Sequence, residues 1–397
     1  MRIEEIKLRE IYTSNAARTL EVEMLSDGQS FRAQIPAGES RGSGEAKALT
    51  PEEAGENWAK LRPQLLGLDF RSVSELDQLL LHADGTPDKS KFGGNVMLGV
   101  SLAGARALAS EGKKELWQSL AEEFFPGGTK EAPPRIYANF VEGGAHAQSG
   151  LALQEYLVIS DREGPLAEKI ALMIELYRKT GGAIGPRLAG SVLPLGVEGG
   201  YAVNWRDDLE PLSMLEQLIS DTKAAAGFRL GLDAAASNFF RSGKYRIGGG
   251  ERSAEELAEV YAGYFGRVPA LVAIEDPFAE NDPASFSALR VKFPDKLIVG
   301  DDLTTTNPFL IEQYAGQGAM NGVIIKANQI GTLTETCKAL ALSKKLGLAR
   351  IVSHRGEETG DAFLVHLAKA SGAEGVKIGA PIRERILKYN ELLRLYP

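Results

Sequence analysis

The chain has 397 residues, with 45 lysines and arginines against 53 acids for a net charge of −8. That balance excludes the basic footprint of a nucleic-acid or anionic-membrane binder, and 44% hydrophobic with 25% charged residues excludes wholesale disorder. A single cysteine, Cys337, excludes an internal disulfide and a cysteine metal cluster, and suits a reducing, cytoplasmic compartment.

The opening Met1-Arg-Ile-Glu-Glu-Ile-Lys is too charged for a signal peptide, and no apolar run approaches the roughly 18 residues of a membrane span. Thr19-Leu-Glu-Val-Glu-Met24 alternates with period two and Ser30-Phe-Arg-Ala-Gln-Ile35 follows it less cleanly, which predicts a hairpin. The polar, glycine-rich Ala37-Gly-Glu-Ser-Arg-Gly-Ser-Gly44 is expected to be a loop. Thr50-Pro-Glu-Glu53 combines a capping pair with proline at the first helical position, a helix start. Asn95 to Ala109 is rich in small apolar residues and reads as a buried helix. Together these predict a small α+β domain over residues 1–132. It closes at two turn clusters within Phe125-Pro-Gly-Gly-Thr-Lys-Glu-Ala-Pro-Pro134.

Residues 136–397 have a different rhythm. Six short apolar runs, Phe228–Asp233, Leu271–Glu275, Leu297–Asp301, Val323–Lys326, Arg350–His354 and Gly375–Ile378, each carry a charged residue at or near their end. Those charges lie 42, 26, 25, 28 and 23 positions apart, about one strand–helix unit each after the first interval. Helical segments fill the gaps, with capping signals at Ser253-Ala-Glu-Glu256 and Thr332-Leu-Thr-Glu335. The cadence predicts a parallel β/α barrel whose active site gathers at the carboxyl ends of its strands. An open doubly wound sheet would alternate similarly, but no Gly-x-Gly-x-x-Gly follows a first strand, and Gly248-Gly-Gly250 reads as a turn.

In such a barrel Asp233, Glu275 and Asp301 converge, and three uncompensated carboxylates repel unless a cation sits among them. All-oxygen donors favour Mg²⁺ or Mn²⁺ over zinc. The alternative is that each acid merely caps the next helix or pairs with a surface lysine. Lys326 ends the next strand and is a candidate base. That role requires its pKa to fall ~3 units, about 4 kcal/mol of unfavourable interaction with the charged form; the alternative is a buried ion pair. Arg355 offers a planar fork for phosphate. Of the four histidines, His82 is expected at the surface and His366 in a helix as a structural residue. His146 lies in a glycine-rich loop before Glu155, and Glu198 in another, so both glutamates are proton-transfer candidates at the barrel mouth.

These stretches resemble the enolase family. The likeness rests on Asp84-Gly-Thr-Pro-Asp-Lys-Ser-Lys91, Asn95 to Ala103, Leu153-Gln-Glu155, Ile274-Glu-Asp-Pro-Phe278, Gly300-Asp-Asp-Leu-Thr304, Lys326-Ala-Asn-Gln-Ile-Gly331, Ser353-His-Arg355 and Lys377-Ile-Gly-Ala-Pro381, all in the family's order over nearly the whole chain. The resemblance implies an enolase-type barrel preceded by a smaller α+β domain. It further implies reversible dehydration of 2-phosphoglycerate to phosphoenolpyruvate with two Mg²⁺ ions. By the same resemblance Asp233, Glu275 and Asp301 bind the first ion and Ser40 helps bind the second. Lys326 removes the C2 proton, and Glu198 with Glu155 assists departure of the C3 hydroxyl. Arg355 binds phosphate, Lys377 contacts the substrate carboxylate, and His146 and His354 are the active-site histidines. Gln154, Ser353 and Gly356 fall among the substrate-binding positions.

Four places depart from the family pattern. The amino-terminal segment associated with subunit contacts is here Thr13 to Thr19, so a homo-oligomer is expected to use a different interface. Gly356 replaces a serine, Glu142 and Ala145 replace an asparagine and a serine near His146, and Val197 replaces an acid beside Glu198. Two other readings stand beside the main one. A superfamily lyase or epimerase for another acid would typically carry Lys-x-Lys on an early barrel strand, and none lies near residues 155–200. A scaffold protein would have no need for a costly cluster of like charges.

Overall fold

The computed structural model describes residues 1–38, 42–127, 132–160, 163–188, 192–222 and 227–397. Strands β1 (Glu5–Tyr12), β2 (Arg18–Ser26) and β3 (Gln29–Gln34) form an antiparallel sheet. The predicted hairpin is β2–β3, and β1 was not foreseen, because its Glu5, Lys7, Arg9 and Glu10 mask the apolar face of Ile6 and Leu8. Of the four helices that follow, α1 (Pro51–Leu65) and α3 (Gly94–Glu111) pack against this sheet, and α2 (Val73–Asp84) and α4 (Leu116–Phe124) pack against α3. Thr50 caps α1 in the expected box with Glu53. The small residues of α3 let it approach β2 closely: a Cβ on Gly99 would meet Val22 Cγ2 at 2.5 Å. The expected domain break, Phe125–Pro134, includes residues 128–131, which lie outside the described residues.

The remainder is a closed eight-stranded barrel. In chain order its elements are β4 (Arg135–Glu142), β5 (Glu155–Ser160), α5 (Leu166–Ile184), α6 (Leu209–Ser220) and β6 (Phe228–Asp233). A small excursion, β7 (Phe240–Arg241), β8 (Lys244–Ile247) and β9 (Gly250–Arg252), forms its own sheet, and Gly248 and Gly249 make the β8–β9 turn with φ of 62° and 74°. Then come α7 (Ala254–Arg267), β10 (Leu271–Glu275), α8 (Pro283–Lys292), β11 (Leu297–Gly300), α9 (Pro308–Gly316), β12 (Gly322–Ile325), α10 (Ala327–Ile330), α11 (Leu333–Lys345), β13 (Ala349–Ser353), α12 (Phe363–Ser371), β14 (Gly375–Lys377) and α13 (Ile386–Leu395). The strand order around the barrel is β10-β11-β12-β13-β14-β4-β5-β6.

The barrel is as expected, with one correction: it is not wholly parallel. β5 pairs antiparallel with both β4 and β6. The connection from Glu142 to Glu155 contains one short 3-10 turn, Gly144–His146, and no crossover helix of the kind that a parallel neighbour requires. The reversal brings the first residue of β5, Glu155, opposite the last of β6, Asp233.

Strand periodicity explains where the chemistry sits. Inside the barrel, Tyr137, Leu157, Ile159, Ala273, Val299, Ile324 and Ile351 form a compact apolar plug. Two residues further toward the mouth from a member of this layer stand Glu155, Glu275, Asp301, Lys326 and Ser353, since side chains at i and i+2 share a face. Apolar packing thus closes the bottom, and the next inward layer is charged. Among the described residues, no helix is long and apolar enough to cross a membrane.

The small domain docks beside this mouth. Arg106 grips Asp361 through two hydrogen bonds of 2.9 and 2.6 Å, Lys89 pairs with Glu335 at 2.8 Å, and Asp77 accepts from the Thr334 amide at 2.8 Å. Gly331, at the end of α10 with φ +94°, lies against Gly94 of α3 so closely that its Cβ would stand 3.0 Å from Gly94 Cα. Gly331→Ala therefore combines a left-handed backbone cost with a backbone clash. We expect it to lower stability by about 1–3 kcal/mol in urea unfolding, whereas an unchanged midpoint would show that the two domains move apart freely.

Candidate active site

Three cationic side chains organise the mouth. Lys377, at the end of β14, is fully enclosed, and its Nζ lies 2.8 Å from Asp233 Oδ2, 2.9 Å from both oxygens of Glu275 and 3.1 Å from Glu155 Oε1. Burial alone would lower the Lys377 pKa, but these carboxylates raise it well above the ordinary value. Lys326, immediately after β12, bonds Asp301 Oδ2. Here too burial works downward, but Asp301 more than offsets it, and the Lys326 ammonium is held above its usual pKa. The lowered pKa expected of a base is therefore absent in this state: the alternative, a buried ion pair, is what the geometry shows. Asp301 is correspondingly lowered by Lys326 against the effect of burial.

Arg355 forms the third cationic point. Its Nη1 donates to Glu45 Oε2 at 3.1 Å and Asn328 Oδ1 at 2.9 Å, and its Nη2 donates to Glu45 Oε1 at 3.1 Å. The fork expected to bind phosphate thus holds a carboxylate from the small domain. Gly38 lies directly over it: a Cβ there would come within 1.7 Å of Arg355 Nη2, so only glycine admits this approach. Gly356 contributes its backbone, and its carbonyl accepts from Arg385 Nη2 at 2.5 Å.

On the other side, Glu198 Oε2 lies 3.1 Å from His354 Nε2. Burial pushes the Glu198 carboxyl upward, but His354 and then His146 draw it well below the ordinary range. Glu155 moves the opposite way: burial and the charge of Glu198 raise it well above, with Lys377 only partly opposing. Two glutamates pushed apart in this manner make one ionised and one protonated carboxyl, the arrangement proton transfer requires. His146 stands 3.6 Å from Glu142.

One cleft is lined by His146, Gln154, Glu155, Glu198, Asp233, Asp301, Lys326, Ser353, His354, Arg355, Gly356 and Lys377, and Glu275 joins it through Lys377. All the candidate residues from the sequence therefore meet at one place except Ser40, which lies outside the described residues. Gln154 accepts from Asn238 Nδ2 at 3.1 Å, and the Ser353 hydroxyl donates to the His354 carbonyl.

Seven carboxyls here (Glu155, Glu198, Asp233, Glu275, Asp276, Asp301, Asp302) face the three cations Lys326, Lys377 and Arg355. Glu155 Oε2 is buried and accepts no hydrogen bond among the described residues. An oxygen-rich, acid-excess cleft fits a hard divalent cation. Asp276, Asp301 and Asp302 bring ligand oxygens within 4.8 Å of one another, as do the ligand atoms of His146, Glu155 and Glu198. The latter set contains a nitrogen donor, which suits magnesium poorly. Asp233, Glu275 and Asp301 do not form such a group, because Lys377 occupies the point between the first two and Lys326 takes the third.

The sequence reading missed Asp276, Asp302, Glu45, Asn328 and Arg385. Asp276 accepts from the amides of Asp301 (3.0 Å) and Asp302 (2.7 Å), and holds a strained φ of 42° to do so. Asp302 is raised to about 7, by burial and then by Asp301. The repeated aspartates of Glu275-Asp and Asp301-Asp were a visible signal. Glu45 and Arg385 had none.

Two family models match this chain: the enolase N-terminal domain over residues 3–120 and the enolase C-terminal TIM barrel domain over residues 132–396. The chain belongs to the enolase family. That membership supports an enolase-superfamily function of the lyase type, carried by the cleft described above.

Among the described residues, Lys377 is the cation that three of the carboxyls share. Lys377→Met leaves Glu155, Asp233 and Glu275 buried without it, and should cost about 3–5 kcal/mol in urea unfolding with EDTA present. Added Mg²⁺ should recover part of that loss. A variant as stable as the parent in EDTA would show that these carboxyls are not mutually repelling.

Proposed function

We propose that this chain is a Mg²⁺-dependent phosphopyruvate hydratase, reversibly dehydrating 2-phosphoglycerate to phosphoenolpyruvate in the cytoplasm as a step of glycolysis and gluconeogenesis. The observation that carries this reading is the position of Lys326 relative to Glu155. In the barrel order β12 and β5 are four strands apart in a ring of eight, so the lysine and the glutamate face each other across the mouth. A substrate between them presents its C2 proton to one wall and its C3 hydroxyl to the other, as an elimination from opposite faces demands.

Each wall has the chemistry its task needs. Lys326 reaches the cleft from one side as the base for the C2 proton. Glu155 and Glu198 stand on the other, one protonated and one ionised, able to protonate the departing hydroxide. Arg355 supplies a fork for the phosphate once Glu45 yields its place, and the fully buried Lys377 neutralises charge near the substrate carboxylate. Asp233, Glu275 and Asp301, with Asp302 beside them, would hold the first metal ion. Bound magnesium supplies the positive charge that stabilises a doubly ionised carboxylate of the intermediate. The apolar plug closes the cleft from below.

The partner is a small phosphorylated three-carbon acid, with neither nucleic acid nor membrane involved. A homo-oligomer would use an interface unlike the usual family dimer. Residues 13–17 close into a tight turn (Thr13 N–H to the Ala17 carbonyl, 2.8 Å) that docks through Ser14 on Glu358 of the loop after Arg355.

The test is production of phosphoenolpyruvate from 2-phosphoglycerate, followed by absorbance with Mg²⁺ and with EDTA. Turnover in Mg²⁺ and its loss in EDTA are expected, and a folded protein giving no product would remove the reading. Lys326→Ala should slow exchange of the C2 proton by about 10²–10⁴-fold while leaving the fold intact by circular dichroism; undiminished exchange would reassign the base.

A further inference from the structure

Arg385 is fully buried behind the mouth, just before α13, and does not itself line the cleft. Its Nη1 lies 2.9 Å from His354 Nδ1 and 2.8 Å from the Arg355 carbonyl, and its Nη2 reaches the carbonyls of Val197 at 3.1 Å and Gly356 at 2.5 Å. One side chain therefore ties together the loop bearing Glu198 and the loop bearing His354 and Arg355. A guanidinium has donors only, so every atom it meets must accept. His354 Nδ1 is then a bare, accepting nitrogen.

The ring has no room to evade this. A Cβ on Gly379 would sit 3.0 Å from His354 Cε1, and the His354 amide is fixed to the Lys377 carbonyl at 2.9 Å. Turning the ring over would set a carbon against Arg385 and another against Glu198, losing both contacts. With Nδ1 accepting, the ring proton belongs on Nε2, where it points to Glu198 Oε2 at 3.1 Å.

We propose that Arg385 is a positioning residue that fixes the ring proton of neutral His354 on Nε2, so that His354 acts as a hydrogen-bond donor to Glu198 and delivers no proton to substrate. Burial and the Arg385 charge, against the pull of Glu198, lower His354 to about 4, in keeping with that geometry. The consequence for the reaction rests on the hydratase reading above; the tautomer does not. Arg385 also holds the loop at Gly356, where the family pattern has a serine. It fixes that loop through the backbone carbonyls of Arg355 and Gly356, leaving the Arg355 fork to face the cleft.

The experiment is ¹⁵N–¹H correlation across the imidazole rings of the full chain at neutral pH. The His354 signal is assigned by its loss in His354→Gln. A proton on Nε2 and a bare Nδ1 are expected, and a proton on Nδ1 or a doubly protonated ring overturns the proposal. Arg385→Met should release Nδ1, mix the two tautomers and lower kcat by about 10²-fold with KM within about 3-fold of the parent. Arg385→Lys, which keeps a donor, should restore the Nε2 tautomer and at least about 10-fold of that loss. A methionine variant with parental tautomer and kcat would overturn the role. If that variant does not fold, the parent spectrum alone decides. A parent that carries the Nε2 proton but does not turn over 2-phosphoglycerate would sink the hydratase reading and leave the tautomer standing; turnover with the proton on Nδ1 would do the reverse.

Discussion

The ammonium of Lys377, enclosed at the end of β14, holds Glu155, Asp233 and Glu275 within 3.1 Å of one nitrogen. Three carboxyls from β5, β6 and β10 could not share so small a volume without it, because buried like charges repel one another. The rest of the mouth is arranged around that constraint. The adjacent strands β11 and β12 carry a second pair, Asp301 with Lys326, and the two ion pairs occupy the layer directly above the apolar plug. A cation entering this layer does not fill an empty cage. It must exchange with lysines that already serve as counter-charges, so cation binding and the protonation state of Lys326 are linked through Asp301.

The same exchange logic holds at Arg355. Its fork is taken by Glu45, a residue more than three hundred positions away in sequence, and Gly38 crosses close above it. A phosphate offers the same bidentate oxygens with more charge. If the fork binds phosphate as proposed, Glu45 of the small domain holds the place that the phosphate would take, and Arg106 with Asp361 and Lys89 with Glu335 tie that domain to the barrel. Gln329 couples the two centres, since its Nε2 lies 3.3 Å from Glu45 and 3.1 Å from Asp301.

Much of this was legible in the chain. The barrel, its strand-end charges and the capped helices follow from period-two and capping signals that are local, and local signals survive in a sequence. What was not legible depended on direction or distance. β5 carries no charged residue at its end; its Glu155 is at its start, and only the antiparallel reversal puts that residue at the mouth. β1 hid its apolar face among exposed charges. Glu45 and Arg385 act across 310 and 31 residues respectively, and no periodicity connects them with their targets. The acids do lie at the barrel mouth, but their partners in the structure are lysines, because a sequence shows charges without showing which of them meet.

The departures near His146 and Glu198 are best understood together. The family places an asparagine at position 142 and an acid at position 197; here they are Glu142 and Val197. Glu142 is fully buried and accepts from the amides of Glu198 (3.0 and 3.3 Å) and Gly200 (2.9 Å). A Cβ on Gly196 would lie 2.4 Å from the Glu142 carboxyl carbon, and one on Gly200 would lie 3.0 Å from its Cβ, so the larger side chain requires glycine on both sides of the loop. The acid has thus moved from the loop to the strand beneath it, where it binds the loop's own amides. Val197 gives its carbonyl to Arg385 and needs no side-chain anchor. Burial and the nearby Glu198 charge raise the Glu142 carboxyl well above its ordinary range. A carboxyl at this position therefore holds the Glu198 backbone without adding a full negative charge beside the acid pair, which an ionised residue at position 197 would do.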